Sequence, residues 1–317
     1  MGRKLVYLIV LSLSFVFSFL FFKLQTSSDL KSPLPSFLSL KDNSQVSSID
    51  VWIPTVSVLE SFIKGNSDPD ISASSALVYD LSEKEVLYQK SAKSRLPMAS
   101  LTKIMTAVVA IENEKEGLYE VEKKHLVGEN SMGLTPGEEL TLEELLYGLI
   151  LNSGNDAAEV LADNFPGGRS KFIQAMNDKA KSLGLSDTNF TNPTGLEGDG
   201  DQYSTTYDLL VISEYAIRNF ELFRKVIGTF EYEIPYNDYH KAFFLQNETN
   251  LISSYPGVKG IKDGYTPEAG LCLATYLDYG GHEIIGIILG SNNRRQEMKN
   301  LLDYSLKQQG ITPPDHQ

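Results

Sequence analysis

The order of the strand-like and helical segments constrains the fold of this chain more than any other feature. Residues 75–80 and 86–89 are two short β-rich runs separated by a polar turn, which is typical of a β-hairpin. A long helical region follows. Strand-like runs return only late in the chain, at Phe230–Ile234, Gly260–Ile261, Leu271–Leu277 and Glu283–Leu289, and a helix from about Arg294 to Gln308 closes it. This order predicts an α+β domain, in which an antiparallel sheet assembled from both ends of the chain is flanked by helices and an all-helical lobe is inserted between the two halves.

The boundaries of the middle helices can be located from capping and breaking residues. Thr141-Leu-Glu-Glu144 matches a capping box and opens a helix to about Leu151. The run Asn152–Asn155 then interrupts the helical pattern. The other predicted helices cover Leu101–Glu112, Asp156–Asn164, Ser170–Leu183 and Thr205–Asn219. Near the end of the chain, Gly280-Gly281 predicts a tight turn between the last two strands.

The composition excludes several classes of function. A formal net charge of −13 argues against a nucleic-acid-binding surface, which needs clustered basic residues. A single cysteine, Cys272, cannot form an intrachain disulfide. The four histidines are scattered without the spacing of a metal site, so we expect neither a metal nor another cofactor.

The N-terminal residues predict export. Arg3 and Lys4 precede an apolar run, Leu5–Phe22, whose length lies at the lower edge of what spans a bilayer. Positive charge before such a run places the rest of the chain outside the membrane. We therefore expect residues 1–23 to form a membrane anchor, the alternative being a signal peptide that is removed after export. An exported chain without disulfides is more typical of bacteria than of secreted eukaryotic proteins.

The remainder of the chain divides by composition. Residues 24–70 are rich in serine, proline and aspartate and read as a tether, with a short helix near Val56–Ile63. Residues 71–310 carry the sustained apolar patterns of a folded domain, and residues 311–317 form a tail.

A serine and a lysine one helical turn apart form the first candidate for chemistry. Ser100 and Lys103 lie at the start of a predicted helix, where residues three positions apart are neighbours. A nearby amine can activate a serine hydroxyl as a nucleophile, provided that burial lowers its affinity for a proton. Two other matches to this spacing, at Ser28–Lys31 and Ser61–Lys64, fall in the tether. Lys103 could be an ordinary surface lysine, but the apolar residues that follow it indicate burial.

Two further short motifs follow in order, Ser153-Gly-Asn155 and Lys262-Asp-Gly264. With Ser100-x-x-Lys103, they make the chain similar to the serine-type D-Ala-D-Ala carboxypeptidases, the low-molecular-mass penicillin-binding proteins of β-lactamase/transpeptidase-like fold. The resemblance extends over about Ile71 to Lys307 and includes the runs SALVYDL, RLPMASLTKIMTA, LTPGEELTLEELLYGLILNSGNDAA, NPTGL, YSTTYDL and GVKGIKDGYTPEAGLCLATY.

The resemblance implies roles for the motif residues. Ser100 would be the nucleophile, Lys103 its general base, and Ser153 a relay that passes the proton to the leaving amine. The residues implied in substrate binding are Asn155, Lys262, Asp263, Gly264 and Tyr265. Of these, the Tyr265 N–H would complete an oxyanion hole with that of Ser100. Gly264 would let the substrate approach the strand. Asn155 could instead be a plain helix cap.

Asp263 departs from the family pattern, because the resembling enzymes have threonine there to help hold the substrate's terminal carboxylate. An ionised aspartate at about 4 Å would repel that anion by about 4 kcal/mol at an effective dielectric near 20. Three interpretations are open. Asp263 turns away or pairs with a base such as Arg294 or Arg295, the substrate lacks a carboxylate at that point, or the protein binds without turnover. We favour the first, under which Asp263→Thr changes activity only modestly and does not turn an inactive protein into an active one.

The function that the resemblance implies is an exported D-Ala-D-Ala carboxypeptidase. It would trim peptidoglycan stem peptides through an acyl-enzyme on Ser100, and β-lactam antibiotics would acylate the same serine. A class A β-lactamase is less consistent, because the run NPTGLEGDGDQYS offers no convincing acid for deacylation. The alternatives are a D,D-endopeptidase or transpeptidase activity, or a degenerate protein that binds β-lactam or peptidoglycan without turnover.

Overall fold

A computed structural model describes residues 68–316, so the predicted anchor, most of the tether and the helix near Val56–Ile63 lie outside the described residues. In chain order the strands are β1 Ser75–Asp80, β2 Glu85–Lys90, β3 Tyr119–Glu120, β4 Glu139–Leu140, β5 Glu231–Ile234, β6 Phe243–Gln246, β7 Val258–Thr266, β8 Gly270–Tyr279 and β9 His282–Ser291. The α-helices are α1 Thr102–Glu112, α2 Leu142–Leu151, α3 Asn155–Asp163, α4 Gly168–Ser182, α5 Thr206–Asn219, α6 Glu221–Ile227 and α7 Arg294–Gln308.

The main sheet joins the two ends of the domain. Its five strands run in the order β2-β1-β9-β8-β7, and all neighbours are antiparallel. The early strand β1 pairs with the late strand β9, from Ser75 opposite Leu289 to Asp80 opposite Ile284. The predicted α+β fold, with a sheet assembled from both ends of the chain, is therefore confirmed.

Helices cover both faces of this sheet, which explains why its central strands are almost continuously apolar. Because side chains alternate along a strand, Leu77 and Tyr79 belong to the core shared with the helical lobe, whereas Ala76 and Val78 face the opposite side. On that opposite side α7 contributes a buried apolar stripe consisting of Met298, Leu301, Leu302 and Leu306.

The inserted lobe contains α1 to α6, but it is not all-helical as predicted. It also holds two short antiparallel ladders, β3 with β4 and β5 with β6. The segment predicted as a strand at Phe230–Ile234 pairs with β6 rather than joining the main sheet. The strands β3, β4 and β6, of two to four residues, carry too little alternation to be recognised, and α6 was not predicted because it follows α5 directly.

The capping and turn predictions are confirmed. Thr141 Oγ1 accepts from the Glu144 N–H at 3.3 Å, and Glu144 Oε2 accepts from the Thr141 N–H at 2.8 Å. The turn glycines Gly280 and Gly281 have φ angles of 62° and 87°, in the left-handed region that favours glycine. Among helices within residues 68–316, none is both long enough and apolar enough to cross a bilayer.

Candidate active site

Ser100 lies in a tight turn immediately before α1. Residues Ala99–Leu101 form a single 3₁₀ turn, and Ala99 has a φ of 48°, a left-handed conformation that is unfavourable for a residue with a Cβ. The hydroxyl of Thr102 donates to the Ala99 carbonyl at 2.9 Å and so holds the turn. Lys103 follows one turn later, and its Nζ lies 2.9 Å from Ser100 Oγ, as the spacing predicts.

The Lys103 amine is completely buried, so the alternative of a surface lysine is wrong. Besides Ser100, Nζ contacts Asn155 Oδ1 at 2.7 Å and the Thr194 carbonyl at 2.8 Å. Burial, reinforced by the positive charge of Lys262, holds the pKa of Lys103 well below its usual value. A neutral amine can donate two N–H groups to Asn155 and Thr194 and keep its lone pair for the proton of Ser100. The geometry therefore suits a general base.

Ser153 and Asn155 stand at the break between α2 and α3. Ser153 has a φ of 53° and is 1% exposed, and its hydroxyl has no hydrogen-bond partner among the described residues. A strained backbone that carries an unpaired buried hydroxyl is typical of a functional position. The Asn155 side chain bonds Lys103 and donates to the Gly128 carbonyl at 3.2 Å, while Gly154 occupies the N-cap of α3. The interpretation of Asn155 as a plain cap is therefore wrong.

Lys262 and Asp263 form a buried charged cluster with Arg294. Lys262 lies in the middle of β7, whereas the predicted strand Gly260–Ile261 ended just before it, because the charge of Lys262 interrupts the apolar pattern. Its Nζ contacts Asp263 Oδ1 at 2.8 Å, and the other carboxylate oxygen contacts Arg294 Nη2 at 2.6 Å. Burial alone would raise the pKa of Asp263, but these two cations hold it below its usual value. The predicted pairing of Asp263 with Arg294 is confirmed.

Gly264 brings β7 directly against the Ser100 turn. A Cβ at this position would lie 2.8 Å from the Ser100 backbone nitrogen and 3.1 Å from the Ala99 Cβ. The glycine is therefore required by contact within the protein, which differs from the expected reason of substrate approach. The neighbouring Tyr265 projects outward and is 62% exposed.

The loop between α4 and α5 completes the surroundings of Lys103. Asn192 Oδ1 accepts from the N–H groups of Thr194 and Gly195, at 3.1 and 2.8 Å, and so directs the Thr194 carbonyl toward Lys103. Gly195 has a φ of 88°, and a Cβ there would lie 2.0 Å from the Ala99 carbonyl oxygen. The loop and the Ser100 turn thus pack backbone against backbone.

A cleft of about 460 Å³ opens beside these residues and is lined by Gly128, Glu129, Leu196, Glu197, Tyr265 and Thr266. Its walls adjoin the second and third motifs, since Gly128 bonds Asn155 and Tyr265 follows Gly264. Glu197 Oε1 accepts from the Glu268 N–H at 2.9 Å. Hydrogen bonds from the Thr266 hydroxyl and from this N–H lower the pKa of Glu197, which makes it a poor general base.

A sequence model of the family described as D-alanyl-D-alanine carboxypeptidase, peptidase S11, matches residues 63–293. The chain belongs to this carboxypeptidase family. D-alanyl-D-alanine carboxypeptidase DacF of Bacillus subtilis is 36% identical over 260 residues, which cover 79% of this chain and 66% of DacF. The chain thus spans just under two thirds of the length of that relative.

Relatives of known structure share the fold of this carboxypeptidase-family chain. The D-alanyl-D-alanine carboxypeptidase of Streptomyces sp. strain K15 is 32% identical over 257 residues, covering 74% of this chain and 88% of that protein. The crystal structure of the Streptomyces K15 DD-transpeptidase has a TM-score of 0.71 at 32% identity and covers 75% of this chain and 98% of that one.

Two groups that contribute to the site of this carboxypeptidase-family member are not predicted by its sequence. The Thr194 carbonyl leaves no side-chain signal, although the run NPTGL that contains it had been noted as family-like. Glu248 lies within electrostatic reach of Lys103, Lys262 and Arg294, and burial raises its pKa. Of the predicted site residues, Lys103 bonds both Ser100 and Asn155 directly. Lys262 bonds Asp263 in a second group. Within the described residues, Ser153 Oγ makes no hydrogen bond to either group.

Within residues 68–316, one other cluster has the composition of a metal site. Glu122, His125 and Asp163 place potential ligand atoms within 4.8 Å of one another. However, His125 Nδ1 accepts from the Glu122 N–H at 3.0 Å, and the Lys124 ammonium lies 2.7 Å from the Asp163 carboxylate. The ligand atoms are therefore already engaged within the protein.

Proposed function

We propose that this protein is a serine D-alanyl-D-alanine carboxypeptidase that trims peptidoglycan stem peptides through an acyl-enzyme on Ser100. The observation that carries the proposal is the buried Lys103 amine, 2.9 Å from Ser100 Oγ. A base of lowered pKa beside a serine hydroxyl is the arrangement that nucleophilic catalysis requires.

Acylation begins with attack of Ser100 Oγ on the carbonyl carbon of the penultimate D-Ala. As the C–O bond forms, the hydroxyl proton passes to Lys103 Nζ. The negative charge on the carbonyl oxygen is stabilised by the N–H groups of Ser100 and Tyr265. The C–N bond then breaks, and the terminal D-Ala leaves as its amine takes the hydroxyl proton of Ser153. Ser153 recovers a proton from Lys103 Nζ, which leaves Lys103 neutral for the next step. The buried Ser153 hydroxyl, which has no hydrogen-bond partner among residues 68–316, supports this relay.

Deacylation returns the enzyme to its starting state. Water attacks the ester carbonyl, one of its protons passes to Lys103, and the peptide leaves with a new carboxylate as Ser100 Oγ recovers a proton. Asn155 and Lys262 hold the substrate on either side of the nucleophile. Asn155 fits this role because its side chain is fixed by Lys103 and by the Gly128 carbonyl at the edge of the cleft. β-Lactams, as mimics of the same substrate, acylate Ser100.

The rival function is a protein that binds β-lactam or peptidoglycan without turnover. That interpretation depends on an unpaired negative charge at Asp263 that would repel the substrate carboxylate. The carboxylate instead bonds Lys262 and Arg294, which favours the enzyme.

The test incubates the full-length protein in detergent with a labelled penicillin and with a peptide ending in D-Ala-D-Ala. We expect label on Ser100 and release of free D-Ala, and Ser100→Ala should reduce both by at least about a thousandfold. Ser186→Ala, the same change at an exposed serine, is the matched control and should behave like the parent. Label without D-Ala release supports the binding protein, and the absence of both rejects the two proposals together.

We further propose that the chain is held at a bacterial membrane by residues 1–23, with the folded domain outside. Arg3 and Lys4 before the apolar run Leu5–Phe22 support this orientation. Cell fractionation should recover the full-length chain with membranes and leave the domain open to added protease on the outer side. A shortened chain free in the medium would favour a removed signal peptide.

A further inference from the structure

We propose that Asp263 makes this enzyme accept D-alanyl amides that lack a free carboxylate next to the scissile bond, such as a D-Ala joined to the amine of another peptide, nearly as well as free D-Ala-D-Ala ends. The inference rests on the proposed function and adds a substrate class to it. It assigns Asp263 the role of a specificity-determining residue.

The starting point is the set of cations near the nucleophile. Among the described residues, Lys103, Lys262 and Arg294 are the cations that the site brings together, and Lys103 is engaged with Ser100, Asn155 and Thr194. A carboxylate one residue beyond the scissile bond must therefore draw its attraction from Lys262 and Arg294.

Both of these cations lie next to the nucleophile. They meet Asp263 on β7, and the following residue, Gly264, is so close to Ser100 that a Cβ would lie 2.8 Å from the Ser100 nitrogen. The cluster of Lys262, Asp263 and Arg294 thus adjoins the contact between β7 and the Ser100 turn, beside which the reacting end of a substrate must lie.

Asp263 already forms ion pairs with both cations. One carboxylate oxygen lies 2.8 Å from Lys262 Nζ and the other 2.6 Å from Arg294 Nη2. The second guanidinium nitrogen of Arg294 is also used, because it donates to the carbonyls of Gly264 and Cys272. The protein's own carboxylate therefore takes the place that an incoming anion would need.

The charge balance leads to the same conclusion. Two positive charges against the one of Asp263 leave a single excess positive charge, and Glu248 places a further carboxylate within electrostatic reach of the same cations. Side-chain exposures of 0% for Lys262, 9% for Asp263 and 23% for Arg294 mean that solvent screens these charges poorly. A substrate carboxylate therefore gains little electrostatic attraction from this cluster, and an uncharged amide binds nearly as well without it.

A purely structural role for Asp263, joining α7 to β7, makes a different prediction. Removing a structural link alters stability or overall activity but leaves unchanged the preference between two substrates that differ only in a terminal charge. The ratio of the two activities is therefore the informative quantity.

The experiment measures kcat/KM of the full-length protein for two peptides with the same acyl part, one ending in D-Ala-D-Ala and the other in its C-terminal amide. We expect the two values to agree within about threefold for the parent enzyme. Asp263→Asn and Asp263→Thr should each raise the acid-to-amide ratio by at least about tenfold, because like charges that face each other oppose binding. The change should lie in a lower KM for the acid, while kcat, the activity at saturating substrate, changes only modestly. Asp278→Asn, the same change at an exposed position on β8, is the matched control for the ratio.

A parent enzyme that prefers the free acid by more than about tenfold overturns the proposal, and this measurement needs no variant to fold. An unchanged ratio in both folded Asp263 variants also overturns it. If neither peptide is cleaved and Ser100 takes no penicillin label, it is the proposed function itself that fails.

Discussion

At the scale of single residues, the chemistry of the site depends on how Lys103 loses its proton. Burial is the main reason for its lowered pKa, and the nearby charge of Lys262 is the second. Asp263 acts in the opposite direction, because its negative charge favours the protonated amine. The Lys262–Asp263 pair on β7 therefore tunes the base as well as shaping the substrate wall.

This arrangement predicts the effect of Lys262→Gln on the pH profile of acylation. The rate of labelling by penicillin should rise with pH as Lys103 becomes neutral, since the neutral amine is the base. Loss of the Lys262 charge raises the pKa of Lys103, so the acidic limb of the profile should move to higher pH and labelling at neutral pH should fall by about tenfold or more. Lys259→Gln, at an exposed position of the same strand, is the control. A limb that stays in place or moves to lower pH contradicts the tuning.

The residues of the site differ in how well the sequence predicted them. Ser100 and Lys103 could be paired because both lie on one local turn, where spacing determines proximity. The contact of Asp263 with Arg294 joins residues far apart in the chain, yet it could be predicted because an unpaired aspartate at this point would repel the substrate carboxylate. The Thr194 carbonyl was not foreseen, because every residue has a carbonyl and only the fold decides where it points.

At the scale of elements, the loop after α4 and the turn before α1 act as one unit. Gly195 and Ala99 meet backbone to backbone, and both have left-handed φ angles, 88° and 48°. Sequence patterns predicted the long helices and the strands of the main sheet, because apolar periodicity reports burial. They did not predict this junction or the β5–β6 ladder, because short, irregular segments are positioned by tertiary contacts.

Gly195→Ala tests this unit against a matched glycine. Gly281 has nearly the same φ, 87° against 88°, but a Cβ there meets nothing within 4 Å, whereas a Cβ at Gly195 would lie 2.0 Å from the Ala99 carbonyl oxygen. Gly281→Ala should lower the free energy of unfolding by about 1–2 kcal/mol from backbone strain alone. Gly195→Ala should lower it by about 3 kcal/mol or more and slow penicillin labelling by about tenfold, because the loop must move away from Ser100. Denaturant unfolding and the rate of penicillin labelling are compared between the two variants. Equal effects of the two substitutions would show that the contact of Gly195 with Ala99 does not matter for the site.

At the scale of the whole molecule, a buried carboxylate fastens the first described residues to the last strand and helix. Glu297 on α7 accepts from the N–H and the hydroxyl of Ser72, each at 2.6 Å, and from the Ser291 hydroxyl at 2.6 Å. Ser72 precedes β1 and Ser291 ends β9, so this one side chain links the segment before the first strand of the sheet to the end of its last strand. Burial alone would raise the pKa of Glu297, but these hydrogen bonds hold it below its usual value.

The sign of this shift determines how stability depends on pH. Because the pKa of Glu297 is lower in the folded than in the unfolded protein, its contribution is complete above the unfolded pKa and is lost as pH falls through the folded one. Glu297→Gln should therefore reduce the free energy of unfolding by about 1.5–3 kcal/mol at neutral pH, the range for a lost hydrogen bond to a charged group. The difference from the parent should shrink as the pH is lowered through the acidic range, because the parent carboxylate is then protonated as well.

Glu114→Gln, at an exposed position, should show no such dependence. Denaturant unfolding at a series of pH values gives the free energy of unfolding of both variants. A loss of stability in Glu297→Gln that stays constant down to acidic pH would show that the charge of Glu297 does not stabilise this junction.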